Sequence, residues 1–197
     1  MNPVTHHNFH LTNNYERAVF LANDIVGKPE RARYEWANQH MSGSSVLDLG
    51  CSSGFGAQFL TRASSYTGID YDNRIIEIAK QQNWHANAKF EYASIYEYPL
   101  GHYDTIIAFE FIEHFDDGLQ IAERLKQHCN TLLITVPHRE TVGFWGEHHK
   151  LHGLDEQHFP GFDFWYTDMH GDITRKPKTL TITNPANLML GVWSKGN

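Results

Sequence analysis

The sequence predicts an α/β fold in which a mostly parallel sheet carries helices on both faces and ends in an antiparallel pair of strands. Between residues 45 and 137, short apolar runs alternate with amphipathic segments, which is the pattern of a parallel sheet covered by helices. Beyond residue 137, two β-like runs are joined by a Thr/Asn/Pro-rich connection without a convincing long helix, so we expect them to pair antiparallel. The length of 197 residues suits one compact domain.

The individual elements follow from these runs. Strands are predicted at residues 46–49, 66–69, 89–93, 105–109 and 131–136, and the terminal pair at 162–167 and 188–193. Helices are predicted at residues 14–26, 29–41, 56–62, 74–82 and 117–128. Pro29 suits a helix start because its missing N–H would have no intrahelical partner there. The expected sheet therefore has seven strands.

Composition and charge exclude several classes of function. With 16 basic and 23 acidic residues the formal net charge is −7, and Lys and Arg form no cluster of the kind that grips a phosphate backbone. Duplex nucleic acid is therefore not an expected partner, whereas a short RNA end stays open. No apolar run approaches the roughly 20 residues that span a bilayer, and the polar residues 1–10 do not resemble a secretory signal. Together with only two cysteines, this predicts a cytoplasmic protein without a membrane partner.

The sharpest local signal is the segment VLDLGCSSGFG at residues 46–56, where an apolar strand runs into a glycine turn and then a helix. Glycine allows positive φ angles and a close approach of a ligand to the backbone. Asp70 ends the second strand, twenty residues after Gly50, where a carboxylate can accept both ribose hydroxyls of an adenosine group. The coupled pattern predicts an adenosine-containing cofactor; the alternative for the glycines alone is a structural loop.

The spacing of the glycines at positions 50, 54 and 56 argues against a nicotinamide-dependent oxidoreductase, whose turn has the form G-x-G-x-x-G. The segment instead resembles motif I, D-x-G-x-G-x-G, of the class I S-adenosylmethionine-dependent methyltransferases. Asp48, Gly50 and Gly54 match that motif, and Ser52 replaces its middle glycine. The resemblance implies a Rossmann-like seven-stranded sheet and S-adenosylmethionine as cofactor, with Asp48 near its amino-acid moiety and Asp70 on its ribose.

Two later segments extend the resemblance over about residues 45–137. FEYASI at 90–95 stands where the family commonly shows F-x-x-G-D-A beside the adenine, with Ala93 and Ser94 in place of Gly-Asp, and YDTIIAFE at 103–110 resembles motif IV. The chain resembles the methyltransferase-11/12/23-like small-molecule O-methyltransferases. The cofactor-binding residues that this implies are Asp48, Gly50, Cys51, Ser52, Gly54, Asp70, Tyr71, Ser94, Ile95 and Glu110.

We therefore expect residues 1–197 to form a single methyltransferase domain. Its parts would be an N-terminal helical cap at 1–43, a cofactor-binding core at 44–137, and an acceptor-side loop with the terminal strand pair at 138–197.

The segment EFIEH at residues 110–114 follows the fourth strand directly. If a helical turn begins there, Glu110 and Glu113 share a face with His114 adjacent, and these side chains can hold a divalent cation. The pattern resembles the O-methyltransferases of ubiquinone biosynthesis and of small-RNA 3′ ends, in which it is associated with a divalent metal. Mg²⁺ or another divalent cation on Glu110, Glu113 and His114 is therefore one hypothesis. The alternative is a metal-free site in which the glutamate lines the methionine pocket and the histidine packs.

Histidines after the fifth strand supply further candidates. The segment GEHHKLH at residues 146–152 resembles the H-H-x-x-H segment of many small-molecule and sugar methyltransferases. A hydroxyl acceptor gains from a general base or from a metal that lowers its pKa. We therefore name His148, His149 and His114 as candidate catalytic residues, base or ligand, with packing or solvent exposure as the alternative for each histidine.

A site rich in histidine and carboxylate favours an oxygen acceptor, and the Asp/Asn-Pro-Pro-aromatic motif of N-methylation is absent after the fourth strand. We predict an S-adenosylmethionine-dependent enzyme that O-methylates a small hydroxylated molecule, such as a sugar, a quinone precursor or another metabolite. One alternative is a cofactor-binding module with weak or no catalysis, suggested by Ser52 and the Ala93-Ser94 pair. The other is an RNA 3′-end O-methyltransferase, which would require a basic groove.

Overall fold

The structure, a computed structural model, describes residues 28–82, 84–182 and 184–196. The predicted helix at 14–26 lies outside them. The α-helices of the described residues are α1 (Lys28–His40), α2 (Asn73–Gln81) and α3 (Gly118–Leu125). The strands are β1 (Ser45–Leu49), β2 (Ser65–Asp70), β3 (Ala88–Tyr92), β4 (Tyr103–Phe109), β5 (Cys129–Pro137), β6 (Asp163–Asp168), β7 (Ile173–Thr174) and β8 (Asn187–Ser194). Short 3₁₀ helices cover Phe55–Phe59, Ile112–His114, Lys126–His128 and Glu156–His158.

These strands form one sheet in the order β3-β2-β1-β4-β5-β8-β6-β7. The pairs from β3 to β5 are parallel, while β8 pairs antiparallel with both β5 and β6. The predicted sheet, mostly parallel with a terminal antiparallel pair, is confirmed. The difference is β7, a two-residue strand that pairs with β6 at the sheet edge and is too short to leave a periodic pattern in the sequence.

The strand order places the carboxyl ends of β1 and β4 side by side near the middle of the sheet. β1 pairs with β2 on one side and with β4 on the other, so the chain connections run in opposite directions from this point. Doubly wound sheets form a crevice at such a switch point, and ligands bind there. The segments that follow β1, β2, β4 and β5 therefore meet along one edge of the sheet.

Apolar side chains are buried on both faces of the sheet. On one face, Ile107 and Leu133 pack in the same cluster as Trp36 of α1. On the other face, Ile106 packs in the same cluster as Leu125 of α3. Because β4 and β5 are buried on both sides, they appear in the sequence as continuous apolar runs rather than as alternating ones. Helices on both faces were expected and are present.

One predicted helix differs in type and length. Instead of an α-helix at 56–62, a 3₁₀ helix covers Phe55–Phe59. Gly54 before it is left-handed (φ 74°), and Leu60 after it has left the helical region (φ −89°, ψ 59°), so there is room for little more than one turn. The predicted helix at 117–128 likewise ends as α3 and continues as a 3₁₀ turn. None of the helices described in this chain has the length and apolar character needed to cross a membrane.

Candidate active site

The glycine turn after β1 adopts a left-handed backbone, with φ 69° at Gly50, 51° at Ser52 and 74° at Gly54. The N–H of Gly50 donates to the carbonyl of Ile69 at 2.9 Å, which ties the turn to the end of β2. At Gly54, a Cβ atom would lie 2.4 Å from the ring of Phe90, so only glycine fits. The turn therefore keeps its left-handed backbone although a serine stands in the middle position, and packing against Phe90 requires glycine at position 54.

Asp70 ends β2 beside this turn. One carboxylate oxygen accepts the N–H of Ser52 at 3.2 Å, and the other accepts the N–H of Asp72 at 3.0 Å. The side chain is largely buried, and this burial raises the pKa of Asp70 above its usual value, while the two backbone hydrogen bonds act to lower it. A carboxylate fixed in this way at the rim of the crevice suits bidentate recognition of two adjacent hydroxyls.

Asp48 lies beneath the turn and has no exposed surface. Tyr34 and Tyr66 both donate their hydroxyls to the same oxygen, at 2.9 Å and 2.6 Å. Among the described residues, its second oxygen has no hydrogen-bond partner. Burial raises the pKa of Asp48 to about 7. The contacts seen are thus with two tyrosines, and the contact of Asp48 with the amino-acid moiety of the cofactor stays a prediction.

The other implied cofactor residues differ in accessibility. Tyr71 is 66% exposed, whereas Cys51 and Ile95 belong to the buried core. The hydroxyl of Ser94 accepts the N–H of Tyr96 at 3.3 Å, so it is part of a turn beside the end of β3. Cys51 and Ile95 could therefore contribute through backbone or van der Waals contact, and their role remains a prediction.

Glu110, directly after β4, has a left-handed backbone (φ 49°). Its N–H donates to the carbonyl of Thr135 at 2.9 Å, and its side chain accepts the Thr135 hydroxyl at 2.9 Å. The guanidinium of the buried Arg33 lies 3.7 Å from the same carboxylate oxygen. A non-glycine residue with positive φ is strained by about 1–3 kcal/mol, and such strain clusters at functional sites.

The predicted metal ligands Glu110, Glu113 and His114 are not found together in one group of ligand atoms within 4.8 Å of one another, and metal binding by these three residues stays a prediction. In the described part of the chain, the group of ligand atoms lying within 4.8 Å of one another comes from His114, His148 and His149. The reason is the left-handed Glu110: it prevents a helical turn from starting there and directs its carboxylate to Thr135. Glu113 is completely buried, and its burial together with the carboxylates of Glu110 and Glu140 raises its pKa.

The three histidines come from two segments of the chain. His114 ends the 3₁₀ turn after β4, and His148 and His149 lie in the loop after β5. The ring centroids are 5.4 Å apart for His114 and His148, 4.9 Å for His114 and His149, and 4.7 Å for His148 and His149. The structure thus brings all three predicted catalytic histidines together.

Glu140 is a site residue that sequence reasoning missed. Its carboxylate accepts a hydrogen bond from Nδ1 of the buried His149 at 2.7 Å and from the N–H of Trp145 at 3.1 Å. Its carbonyl accepts the N–H of Gly153 at 2.9 Å, which closes the loop that carries the histidines. No fixed spacing marks such a carboxylate in a sequence, because the loop path decides which acid meets the imidazole.

Other histidines near the site serve the local structure. His158 takes part in a capping box with Asp155 at the 3₁₀ helix Glu156–His158. His138, at the end of β5, lies 3.4 Å from the carboxylate of Glu156, and burial lowers its pKa. Each of these imidazoles is engaged away from the three-histidine group.

Comparison with known proteins identifies the family to which the chain belongs. A family profile described as a methyltransferase domain matches residues 23–169, well over half of the chain. The chain belongs to this family. The predicted family is confirmed, and with it S-adenosylmethionine as the cofactor. The methyltransferase turn fits that cofactor, because a left-handed turn with glycines at positions 50 and 54 stands next to the anchored carboxylate of Asp70, which can accept ribose hydroxyls.

Curated relatives match parts of this methyltransferase. The ubiquinone biosynthesis O-methyltransferase of Bordetella avium (strain 197N) is 30% identical over 94 residues, which are 43% of this chain and 39% of that protein. The ribosomal protein L11 methyltransferase of Burkholderia thailandensis is 35% identical over 77 residues, which are 38% of this chain and 26% of that protein. The matches span less than half the length of these relatives.

Solved structures share the fold of this methyltransferase over nearly its whole length. One is the N-methyltransferase NodS from Bradyrhizobium japonicum WM9 in complex with S-adenosyl-L-homocysteine. It superposes with a TM-score of 0.67 at 14% identity, covering 94% of this chain and 100% of that one. The likeness confirms the class I methyltransferase sheet.

Proposed function

We propose that this chain transfers a methyl group from S-adenosylmethionine to a hydroxyl oxygen of a small molecule. The observation that carries the proposal is the group of His114, His148 and His149 at the carboxyl edge of the sheet. Phe111 links this group to the glycine turn: a Cβ on Gly50 would lie 3.0 Å from its ring, and His114 follows three residues later. The glycine turn therefore packs against the segment that leads to His114.

Methyl transfer from a sulfonium is an in-line displacement, for which S-adenosylmethionine supplies the electrophilic carbon. The protein has to align the acceptor and to deal with the acceptor's proton. A hydroxyl is a weak nucleophile, so it gains from an imidazole that takes the proton or from a metal that lowers its pKa. Since Glu140 accepts from Nδ1 of His149, Nε2 is the nitrogen through which a neutral ring would take the proton.

Two further facts support a small acceptor with an oxygen nucleophile. The relative from Bordetella avium is named an O-methyltransferase of ubiquinone biosynthesis, although it shares only part of its length with this chain. Val142 and Phe144, in the loop that also carries His148, are 82% and 41% exposed, which suits an acceptor with an apolar body. The net charge of −7 favours such a molecule over an RNA end.

Calorimetric titration tests the cofactor part. S-adenosylmethionine and S-adenosylhomocysteine are expected to bind wild type with micromolar affinity and to bind Asp70→Ala at least about tenfold more weakly, because charge-assisted hydrogen bonds to the ribose are lost. Asp163→Ala, which removes an exposed carboxylate at the start of β6, is the matched control and should bind like wild type. Absence of binding to wild type would contradict the proposal.

A transfer assay tests the acceptor part. Methyl-labelled S-adenosylmethionine is incubated with catechols, other phenols and sugars, and the product is analysed for the methylated atom. Removing an imidazole in His148→Ala or His149→Ala should lower turnover by about 100-fold or more while cofactor affinity is unchanged. His102→Ala, which changes an exposed histidine directly before β4, should keep wild-type turnover. Unchanged turnover in both site variants would refute the role of the histidines.

A further inference from the structure

We propose that His114, His148 and His149 bind one divalent transition-metal ion through their imidazole nitrogens, and that Glu140 holds one of these ligands in place. This set differs from the two glutamates and one histidine that the sequence suggested. Use of the ion in methyl transfer rests on the proposed function above, whereas metal binding itself does not.

The spacing of the ligand atoms is close to what an ion requires. One nitrogen from each histidine lies within 4.8 Å of the other two. An ion with metal–nitrogen distances of 2.0–2.1 Å brings tetrahedral ligand atoms to about 3.4 Å from one another. Side-chain rotations that move the nitrogens by about 1 Å would therefore bring them to the distances that an ion requires.

In two of the rings, Nδ1 lies beside an accepting oxygen. Nδ1 of His149 donates to the carboxylate of Glu140 at 2.7 Å, and Nδ1 of His114 lies 3.4 Å from the carbonyl of His148. Because both partners accept, a proton on each Nδ1 would complete these hydrogen bonds, and Nε2 would then be the metal-binding nitrogen of each neutral ring. Metal-binding histidines are typically oriented in this way by a carboxylate or a carbonyl on the opposite nitrogen.

The backbone holds the two histidine-bearing segments together. The N–H groups of Lys150 and Leu151 donate to the carbonyl of Glu113 at 2.7 Å and 3.1 Å. These bonds connect the residues directly after His148 and His149 to the residue directly before His114. The three imidazoles are thus positioned by main-chain contacts that do not depend on a metal.

The donor set indicates the kind of ion. Three imidazoles suit Zn²⁺, Co²⁺ or Ni²⁺, whereas Mg²⁺ prefers oxygen ligands. Three protein ligands leave a coordination position open, as catalytic zinc sites do. A hydroxyl of the acceptor would occupy that position and release its proton to water more readily there.

Metal titration tests the site without any assay of activity. The parent protein carries His6, His7 and His10 changed to alanine, which removes competing histidines from the N-terminus. Zn²⁺ binding is followed by competition with a chromophoric chelator, and Co²⁺ binding by its visible absorption. We expect one ion per chain, and at least about tenfold weaker binding in His114→Ala and His148→Ala. Glu140→Gln should weaken binding about 10- to 100-fold.

Controls separate the site from general histidine binding. His102→Ala should bind like the parent, and a large excess of Mg²⁺ should not displace Co²⁺. Since His148 is exposed, His148→Ala should keep the parent's melting temperature and report on the site even if the buried His149 tolerates no change. Equal Zn²⁺ affinity in His148→Ala, His114→Ala and the parent would overturn the proposal. Cofactor titration of the same variants shows whether the methyltransferase function stands when the metal site fails.

Discussion

At the residue scale, Asp48 combines complete burial with two hydrogen bonds to a single oxygen. Burial outweighs the lowering effect of the hydroxyls of Tyr66 and Tyr34 and raises the pKa from 3.8 to about 7. The folded protein therefore holds a proton on this carboxyl group at pH values where the unfolded chain has released it. Stability is linked to pH through that difference.

The sign of the linkage gives a prediction. The contribution of Asp48 to the free energy of unfolding is fully present below about pH 4 and is lost as the pH rises to about 7, the window set by its two pKa values. At 1.36 kcal/mol per unit, the decrease amounts to at most about 4 kcal/mol. Urea denaturation across this pH range should show that the free energy of unfolding declines more steeply with pH in wild type than in Asp48→Asn. The free energy of unfolding of Asp163→Asn should decline with pH as it does in wild type. Equal pH slopes in wild type and Asp48→Asn would refute the raised pKa of Asp48.

Gly54 allows a second prediction at the same scale. Gly54→Ala adds a methyl group 2.4 Å from the ring of Phe90 and also strains a backbone with φ 74°. Gly143→Ala is a matched control, because its φ is 82° but no atom lies within 4 Å of the added Cβ. The steric clash should cost Gly54→Ala about 1–3 kcal/mol beyond the loss in Gly143→Ala. Urea denaturation measures both, and equal losses would mean that the turn has more room than the structure shows.

At the element scale, α2 shows how a helix is specified by its neighbours in the sequence. Asp72 caps its N-terminus by accepting the N–H of Arg74 at 2.9 Å. Ile75, Ile76 and Ala79 form the buried face. Cap and apolar spacing are both local features, which is why the prediction of a helix at 74–82 is close to the observed Asn73–Gln81.

The same helix offers a test of packing. Ile76→Ala removes a completely buried side chain and should cost about 2–5 kcal/mol of unfolding free energy. Ile78→Ala, two residues further along α2 and only partly buried, should cost clearly less. Thermal and urea denaturation of the two variants compare them directly. Similar losses would show that α2 packs through a different face.

The turn after β4 is an element whose conformation at Glu110 depends on a residue distant in the sequence. An i, i+3 pair of glutamates suggested a helical turn, but Glu110 takes a left-handed backbone that is held by Thr135. Thr135 lies 25 residues further along the chain, on the neighbouring strand β5. Because Thr135, the stabilising partner, is distant in sequence, no local pattern predicts the left-handed conformation of Glu110.

At the scale of the whole molecule, strand order assembles the candidate site. β4 lies between β1 and β5, so the glycine turn, the 3₁₀ turn Ile112–His114 and the loop after β5 share one edge of the sheet. Contacts along that edge connect these segments. For example, Nδ1 of His114 lies 3.4 Å from the carbonyl of His148, which is 34 residues away in the sequence. The side chains of the candidate site come from segments that lie far apart in the sequence, and the order of the strands brings them together.

The sequence by itself determined the sheet type, the family, the left-handed glycine turn and the acid Asp70 at the end of β2. Periodicity and turn chemistry are encoded by residues close together in the chain, so they can be recognised before folding. Only the tertiary structure decided that His114 joins His148 and His149 rather than Glu110, and that Glu140 orients His149. The physical reason is that these contacts depend on the order of the strands and on the path of a loop, and the spacing of residues in the sequence predicts neither.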